Sequence, residues 1–155
     1  MTDLVISPVE PADSGEVLTL QRAAYVTEAQ LYGDCFLPAL TQSHQELREE
    51  LAAGFALKAV REGRIVGAAR ARRDGSVWHI GRLTVAPDAQ GQGVGTRLLT
   101  ELERHAPAGV ERFALFTGHL SVANISLYER LGYQQTRREI LQPGVELVHL
   151  EKQAP

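Results

Sequence analysis

Cys35 is the chain's one cysteine. An internal disulfide and a multi-cysteine zinc site are therefore excluded, and a reducing compartment fits. No apolar run approaches the roughly 20 residues that a membrane span needs. The start, Met1-Thr2-Asp3-Leu4-Val5-Ile6-Ser7-Pro8, lacks the basic segment and the longer apolar stretch of a secretory leader. A basic excess is missing too: 16 Lys and Arg stand against 19 Asp and Glu, for a net charge of -3. A general nucleic-acid binder usually shows that excess. These absences predict a cytoplasmic protein without metal, membrane or nucleic acid. What is present is core material. With 155 residues and 44% of them hydrophobic, one domain over residues 1–155 is expected, large enough to hold without staples.

The patterning is local and readable. Residues 4–9 predict a short strand, closed by Pro11, Asp13 and Gly15. Asp13 or Ser14 then caps a helix to about residue 29, with Val17, Leu18, Gln21, Ala24, Tyr25 and Glu28 at spacings of three and four. Residues 33–38 read as irregular. Ser43 with Glu46 is a capping box for a helix over 44–53, ended by Gly54. Strands over 55–61, 64–72 and 76–85 follow, joined by turns at Glu62-Gly63 and Asp74-Gly75. They predict an antiparallel meander. A Gly-rich loop over 87–95 opens a helix to about His105, with Val94, Leu98, Leu99 and Leu102 on one face. A buried strand over 113–116, a helix over 124–131 and a hairpin of 133–141 with 145–151 complete the chain. The strand–helix–strand stretch over 76–117 implies one parallel pair. The expected fold is α/β, a mixed and mostly antiparallel sheet of six to seven strands flanked by about four helices.

The loop reads Gln90-Gly91-Gln92-Gly93-Val94-Gly95-Thr96. A strand precedes it and a helix follows. That context suits an anion, because amides turn inward, the helix dipole adds positive potential and glycine lets backbone approach a phosphate. A Walker A loop needs a lysine before its Ser or Thr, and none precedes Thr96. A dinucleotide fingerprint needs glycine where Thr96 stands. A loop that merely turns the chain also uses glycines.

Gln90-x-x-Gly93-x-Gly95, after Leu83-Thr84-Val85-Ala86-Pro87, resembles the acyl-CoA signature of the GNAT N-acetyltransferase superfamily. Asn124-Ile125-Ser126-Leu127-Tyr128-Glu129-Arg130-Leu131-Gly132-Tyr133 resembles that family's second signature, in the same order and spacing. The resemblance implies a splayed central strand pair, acetyl-CoA (coenzyme A) as co-substrate, and direct acetyl transfer to a primary amine in a ternary complex. It implies a cofactor site of Gln90, Gly91, Gln92, Gly93, Val94, Gly95 and Thr96 at the pyrophosphate. Leu83, Thr84 and Val85 would lie along the pantetheine, with Asn124 and Tyr128 beyond. Asn124 is also a candidate N-cap.

Tyr128 is implied as the acid that protonates the departing sulfur. Gly81 occupies the position where many relatives carry a glutamate, so the base is sought elsewhere. His79 lies two residues earlier on the same strand face, and its pKa suits proton pickup. His119 is a weaker rival. His44, His105 and His149 are expected on the surface without a role. The family's first two helices wall the acceptor site, which points to Tyr25, Glu28 and Tyr32. A carboxylate beside aromatic rings suits a cationic amine. The expected acceptor is a small-molecule amine, and the expected state a monomer or homodimer. A protein N-terminus or side chain as acceptor, and a non-catalytic acyl-CoA sensor, are the alternatives.

Overall fold

The computed structural model describes residues 3–155. Seven strands form one sheet: β1 (Val5–Pro8), β2 (Phe55–Arg61), β3 (Arg64–Asp74), β4 (Val77–Val85), β5 (Arg112–Gly118), β6 (Gln134–Gln142) and β7 (Val145–Gln153). The helices are α1 (Ser14–Tyr32), α2 (Pro38–Thr41), α3 (His44–Ala53), α4 (Val94–Arg104) and α5 (Val122–Arg130). Sheet order is β1-β2-β3-β4-β5-β7-β6. Among the described residues only β4 and β5 pair in parallel, as the strand–helix–strand stretch requires.

Local signals set most boundaries. Ser43 and Glu46 close the capping box in both directions, at 3.1 Å and 2.9 Å. Helix α1 runs past residue 29, until Gly33 adopts a left-handed φ of 60°. The irregular stretch ends in one helical turn, α2, whose first residue Pro38 supplies a φ suited to that position. Asn124 is not a cap. Helix α5 begins two residues earlier with Ser121 as its N-cap, which puts Asn124 in the first turn.

Helix α4 covers one face of the sheet. Its Leu98, Leu99 and Leu102 are fully buried. Burial of each contributes about 1.5–3 kcal/mol. Trp78 donates from Nε1 to the Leu102 carbonyl at 3.0 Å, satisfying a group in the last turn. Gly67 lets the start of α4 sit tight on β3. A Cβ there would stand 2.6 Å from Val94 Cγ1 and 2.9 Å from Leu98 Cδ1. Gly67→Ala is therefore expected to destabilise the protein by about 1–3 kcal/mol through overpacking, read from the urea midpoint at unchanged m-value. A midpoint equal to wild type would show that the contact is slack.

Helices α1 and α3 pack together on the opposite face, joined by Ser14 Oγ and His44 Nε2 at 2.8 Å. A bulge in β4 then decides which residues face which layer. Arg70 pairs with Gly81 and Ala68 with Thr84, so the register slips between them. Arg82 absorbs the slip with a left-handed φ of 50°. Before the bulge, Trp78 and Ile80 face α4 while His79 and Gly81 face α1. After it, the phase reverses and Leu83 and Val85 turn toward α4. Strand β4 also parts from β5. Their pairing ends at His79↔Ala114, whereas β5 stays paired with β7 as far as Gly118.

Candidate active site

The Gly-rich loop forms a cradle at the C-terminal end of β4. Gly91 and Gly93 take left-handed φ values of 75° and 82°, and Gly93 is the N-cap of α4. Neither glycine has an atom within 4 Å of where a Cβ would sit. No side chain caps α4, and its first turn holds no acidic residue. The amides of Val94, Gly95 and Thr96 therefore have no intrahelical acceptor, the first helical bond being Arg97 N–H to the Gly93 carbonyl at 3.1 Å. An eleven-residue helix with a bare N-terminus and an open glycine approach suits a phosphate. Gln92 is drawn to one side, accepting a hydrogen bond from Arg61. Thr84 turns away from the cradle and donates to the Ala68 carbonyl at 3.2 Å. Its carbonyl lies on the β3 side as well, beside Gly67.

From the cradle, the β4 edge past His79 runs without a β5 partner toward the gap. Leu83 and Val85 lie beside Gly95 and Leu127, which joins the strand edge, the α4 start and α5 in one wall. On α5, Asn124 and Tyr128 are one turn apart and share a face. Asn124 is half-buried, and its amide bonds to nothing among the described residues. Tyr128 is 6% exposed, packed edge-on to Tyr133 at 6.2 Å. Its hydroxyl makes no hydrogen bond to any described residue. Burial, and then the neighbouring Tyr25 and Glu28, push its pKa well above the ordinary phenol value. Those two neighbours belong to α1. Tyr128 thus sits where the gap joins the two faces of the sheet.

On the α1 side of the gap lies a groove of about 800 Å³, lined by Tyr25 and His79 with residues of β3, β4, β5, β6 and β7. His79 is half-exposed there. Burial and then Arg72 lower its pKa, with Arg112 adding to them and Asp74 and Glu151 opposing. These surroundings favour the neutral imidazole, the form that accepts a proton, with Asp74 Oδ2 3.9 Å from its Nε2. The Tyr25 ring lies under the Arg82 guanidinium at 5.9 Å.

Two expected acceptor residues do other work. Leu120 N–H donates to Tyr32 Oη at 2.9 Å, Tyr32 Oη lies 3.2 Å from Ser121 Oγ, and Ser121 Oγ donates to the Glu28 carboxylate. Glu28 and Tyr32 therefore tie the end of α1 to the start of α5, and neither lines the groove. His149, expected on the surface, does line it, because its β7 position pairs with Phe116 on the groove face. His119 bonds to the Glu146 backbone instead, its Nδ1 accepting from the amide at 3.0 Å. Sequence reasoning also missed the arginines Arg70, Arg72, Arg82, Arg112 and Arg137. The alternation of Arg70 and Arg72 inside an apolar strand was the available signal.

Among the described residues, no group of three or more His, Cys, Asp or Glu is placed to hold a metal, and no helix is long and apolar enough to cross a membrane. The fold is similar to the PaiA N-acetyltransferase of Thermoplasma acidophilum in complex with coenzyme A, at TM-score 0.83 and 16% identity over 97% of this chain and 99% of that one. It is also similar to the ribosomal-protein-S18-alanine N-acetyltransferase of Escherichia coli, at TM-score 0.78 and 20% identity over 98% and 94%. A curated relative, UPF0157 protein YqkA of Bacillus subtilis (strain 168), is 27% identical over 122 residues. That match covers 77% of this chain but 34% of the relative, so the chain spans about a third of it. The family model described as an acetyltransferase (GNAT) domain matches residues 21–154. The chain belongs to the GNAT family of acyl-CoA-dependent acetyltransferases.

Proposed function

We propose that the chain is an N-acetyltransferase that moves the acetyl group of acetyl-CoA to the primary amine of a small molecule. One observation carries the reading: the bare α4 N-terminus, the unpaired β4 edge and the unbonded Tyr128 hydroxyl follow one another into the gap. These residues fit coenzyme A. The amides of residues 93–96 suit its pyrophosphate, the β4 edge at Leu83 and Val85 suits an arm that adds like a strand, and Asn124 has an amide to offer. Bound there, acetyl-CoA supplies a thioester whose C–S bond is exchanged for a C–N bond to the acceptor. Tyr128 keeps its proton until sulfur departs and then donates it from Oη. The groove volume matches the range of small-ligand sites, about 300–1,000 Å³.

The acceptor must be neutral when it attacks. A lysine-like amine with a pKa near ~10.4 is unprotonated in about one molecule in 2,500 at pH 7, a deficit of about 4.6 kcal/mol. With Gly81 offering no side chain, His79 is the proton acceptor, directly or through water. The sign of its pH dependence follows from its surroundings. Burial and Arg72 disfavour the imidazolium, so the neutral form persists below the ordinary histidine pKa of 6.5. The further loss of kcat/KM that belongs to His79 is expected only below that pH, on top of the amine's own titration. His79→Gln is expected to lower kcat/KM about tenfold or more and to remove this acidic limb. The check is thiol release from acetyl-CoA with a responding amine across pH 5–9. A limb that survives the substitution would eliminate His79 as the base.

A further inference from the structure

We infer that the acceptor amine also carries an oxyanion, a carboxylate or a phosphate, held by the arginines of the groove. This rests on the acetyl-transfer reading and names the class of its second substrate. The groove draws five arginines from four strands and only two glutamates, in a chain whose net charge is -3. Both glutamates are already engaged. Glu50 lies 3.3 Å from Arg70, and Glu151 lies 3.2 Å from Arg112. Arg72 and Arg82 have no carboxylate at ion-pair distance among the described residues.

Arg70 is the charge held most firmly in the wall. It is 8% exposed, and its Nε–H is buried without a partner. Gln21, itself 1% exposed, holds the other end of the guanidinium by accepting from Nη2 at 3.2 Å. Gln21 is fixed in turn by donating to the Ala39 carbonyl at 2.9 Å and to Gln42 at 3.0 Å. Glu50 and Gln21 meet its Nη2 and its Nε–H is closed off from the groove, so Arg70 adds fixed positive charge to the wall, while Arg72 and Arg82 keep planar guanidinium donors of the kind that meet an oxyanion best. Directly across from Arg70, Gly81 leaves open space, with nothing within 4 Å of where its Cβ would be.

The same field assists the chemistry. Positive charges beside an ammonium disfavour its charged form, so an amine led in by its anionic end meets surroundings that lower its pKa. His79, facing Arg72 and Arg112 as well as Asp74 and Glu151, then accepts a proton released more readily. The groove charge also argues against the cationic attraction expected from Glu28, which bonds to Ser121 instead.

The test compares α-amino acids with their carboxamides and with aminoalkylphosphonates. Thiol release is read with acetyl-CoA, and calorimetric binding is read on protein saturated with CoA. Acids or phosphonates are expected to exceed the matched amides by about tenfold or more in kcat/KM, the usual scale of a charge-assisted hydrogen bond. Which of the two anions leads distinguishes carboxylate from phosphate. Gly81→Glu, whose added Cβ would meet nothing within 4 Å, and Arg82→Asn, which tolerates the left-handed backbone, are each expected to erode that preference about tenfold. Acetyl-CoA affinity should change by less than about threefold, measured in parallel. Amides equal to acids, or no binding of any acid or phosphonate at about 10 mM, overturns the anion inference while acetyl-CoA binding stands. A chain that binds no acetyl-CoA overturns both.

Discussion

Gly93→Glu is expected to weaken acetyl-CoA binding by more than about a hundredfold. Two effects combine. Gly93 holds a φ of 82°, a conformation that costs an L-residue about 1–2 kcal/mol. The new carboxylate would also stand where phosphates are proposed to sit. Like charges about 4 Å apart repel by about 4 kcal/mol at an effective dielectric of 20. Steric collapse is not expected, because nothing lies within 4 Å of the added Cβ. Gly93→Asn separates the two effects, since asparagine tolerates the left-handed region and brings no charge. Its loss should be about tenfold or less. Calorimetry with acetyl-CoA, beside circular dichroism for folding, reads both. Unchanged affinity in a folded Gly93→Glu protein would remove the cradle from the binding site.

Tyr128→Phe should lower kcat by about a hundredfold, within the usual range for a general acid, with acetyl-CoA binding nearly unchanged. The structure makes this substitution unusually clean. The hydroxyl bonds to no described residue, so its removal strands no partner. The edge-on contact with Tyr133 at 6.2 Å is kept by the phenylalanine ring. The raised pKa means that the wild-type hydroxyl is fully protonated throughout the working range, so the basic limb of the profile should not belong to Tyr128. Single-turnover measurement isolates the chemical step. A rate within twofold of wild type there would make Tyr128 structural and send the search for the acid elsewhere.

Much of the architecture was legible because its signals are local. The turn at Glu62-Gly63 and the capping pair Ser43 and Glu46 each act over four residues or fewer, and each sits where the sequence placed it, while the turn expected at Asp74-Gly75 falls one residue later, at Gly75-Ser76. The parallel pair followed from the need to cross over through α4. What escaped depends on contacts distant in sequence. The β4 bulge falls at Arg82, where no glycine marks the left-handed residue, so the change of face between Gly81 and Leu83 could not be read. Glu28 and Tyr32 sit on the expected helix, yet their partners Leu120 and Ser121 lie about 90 residues away and turn them from the groove. The arginine groove is assembled from four strands, and only the pair Arg70 and Arg72 left a trace in one of them.

Acetyl transfer to an amine is tested most directly by following the acetyl carbon. The protein is incubated with acetyl-CoA labelled with 13C in the acetyl group and with a mixture of amino acids, aminoalkylphosphonates, neutral amines and peptides. CoA thiol and labelled amide are then counted together. The account predicts one free thiol for each new N-acetyl group, both dependent on added amine and both lost with Tyr128→Phe and Gly93→Glu. Label confined to acetate would make the chain a thioesterase, and acetyl-CoA bound intact while every amine is left unmodified would make it a binder of acyl-CoA; either result would contradict the account.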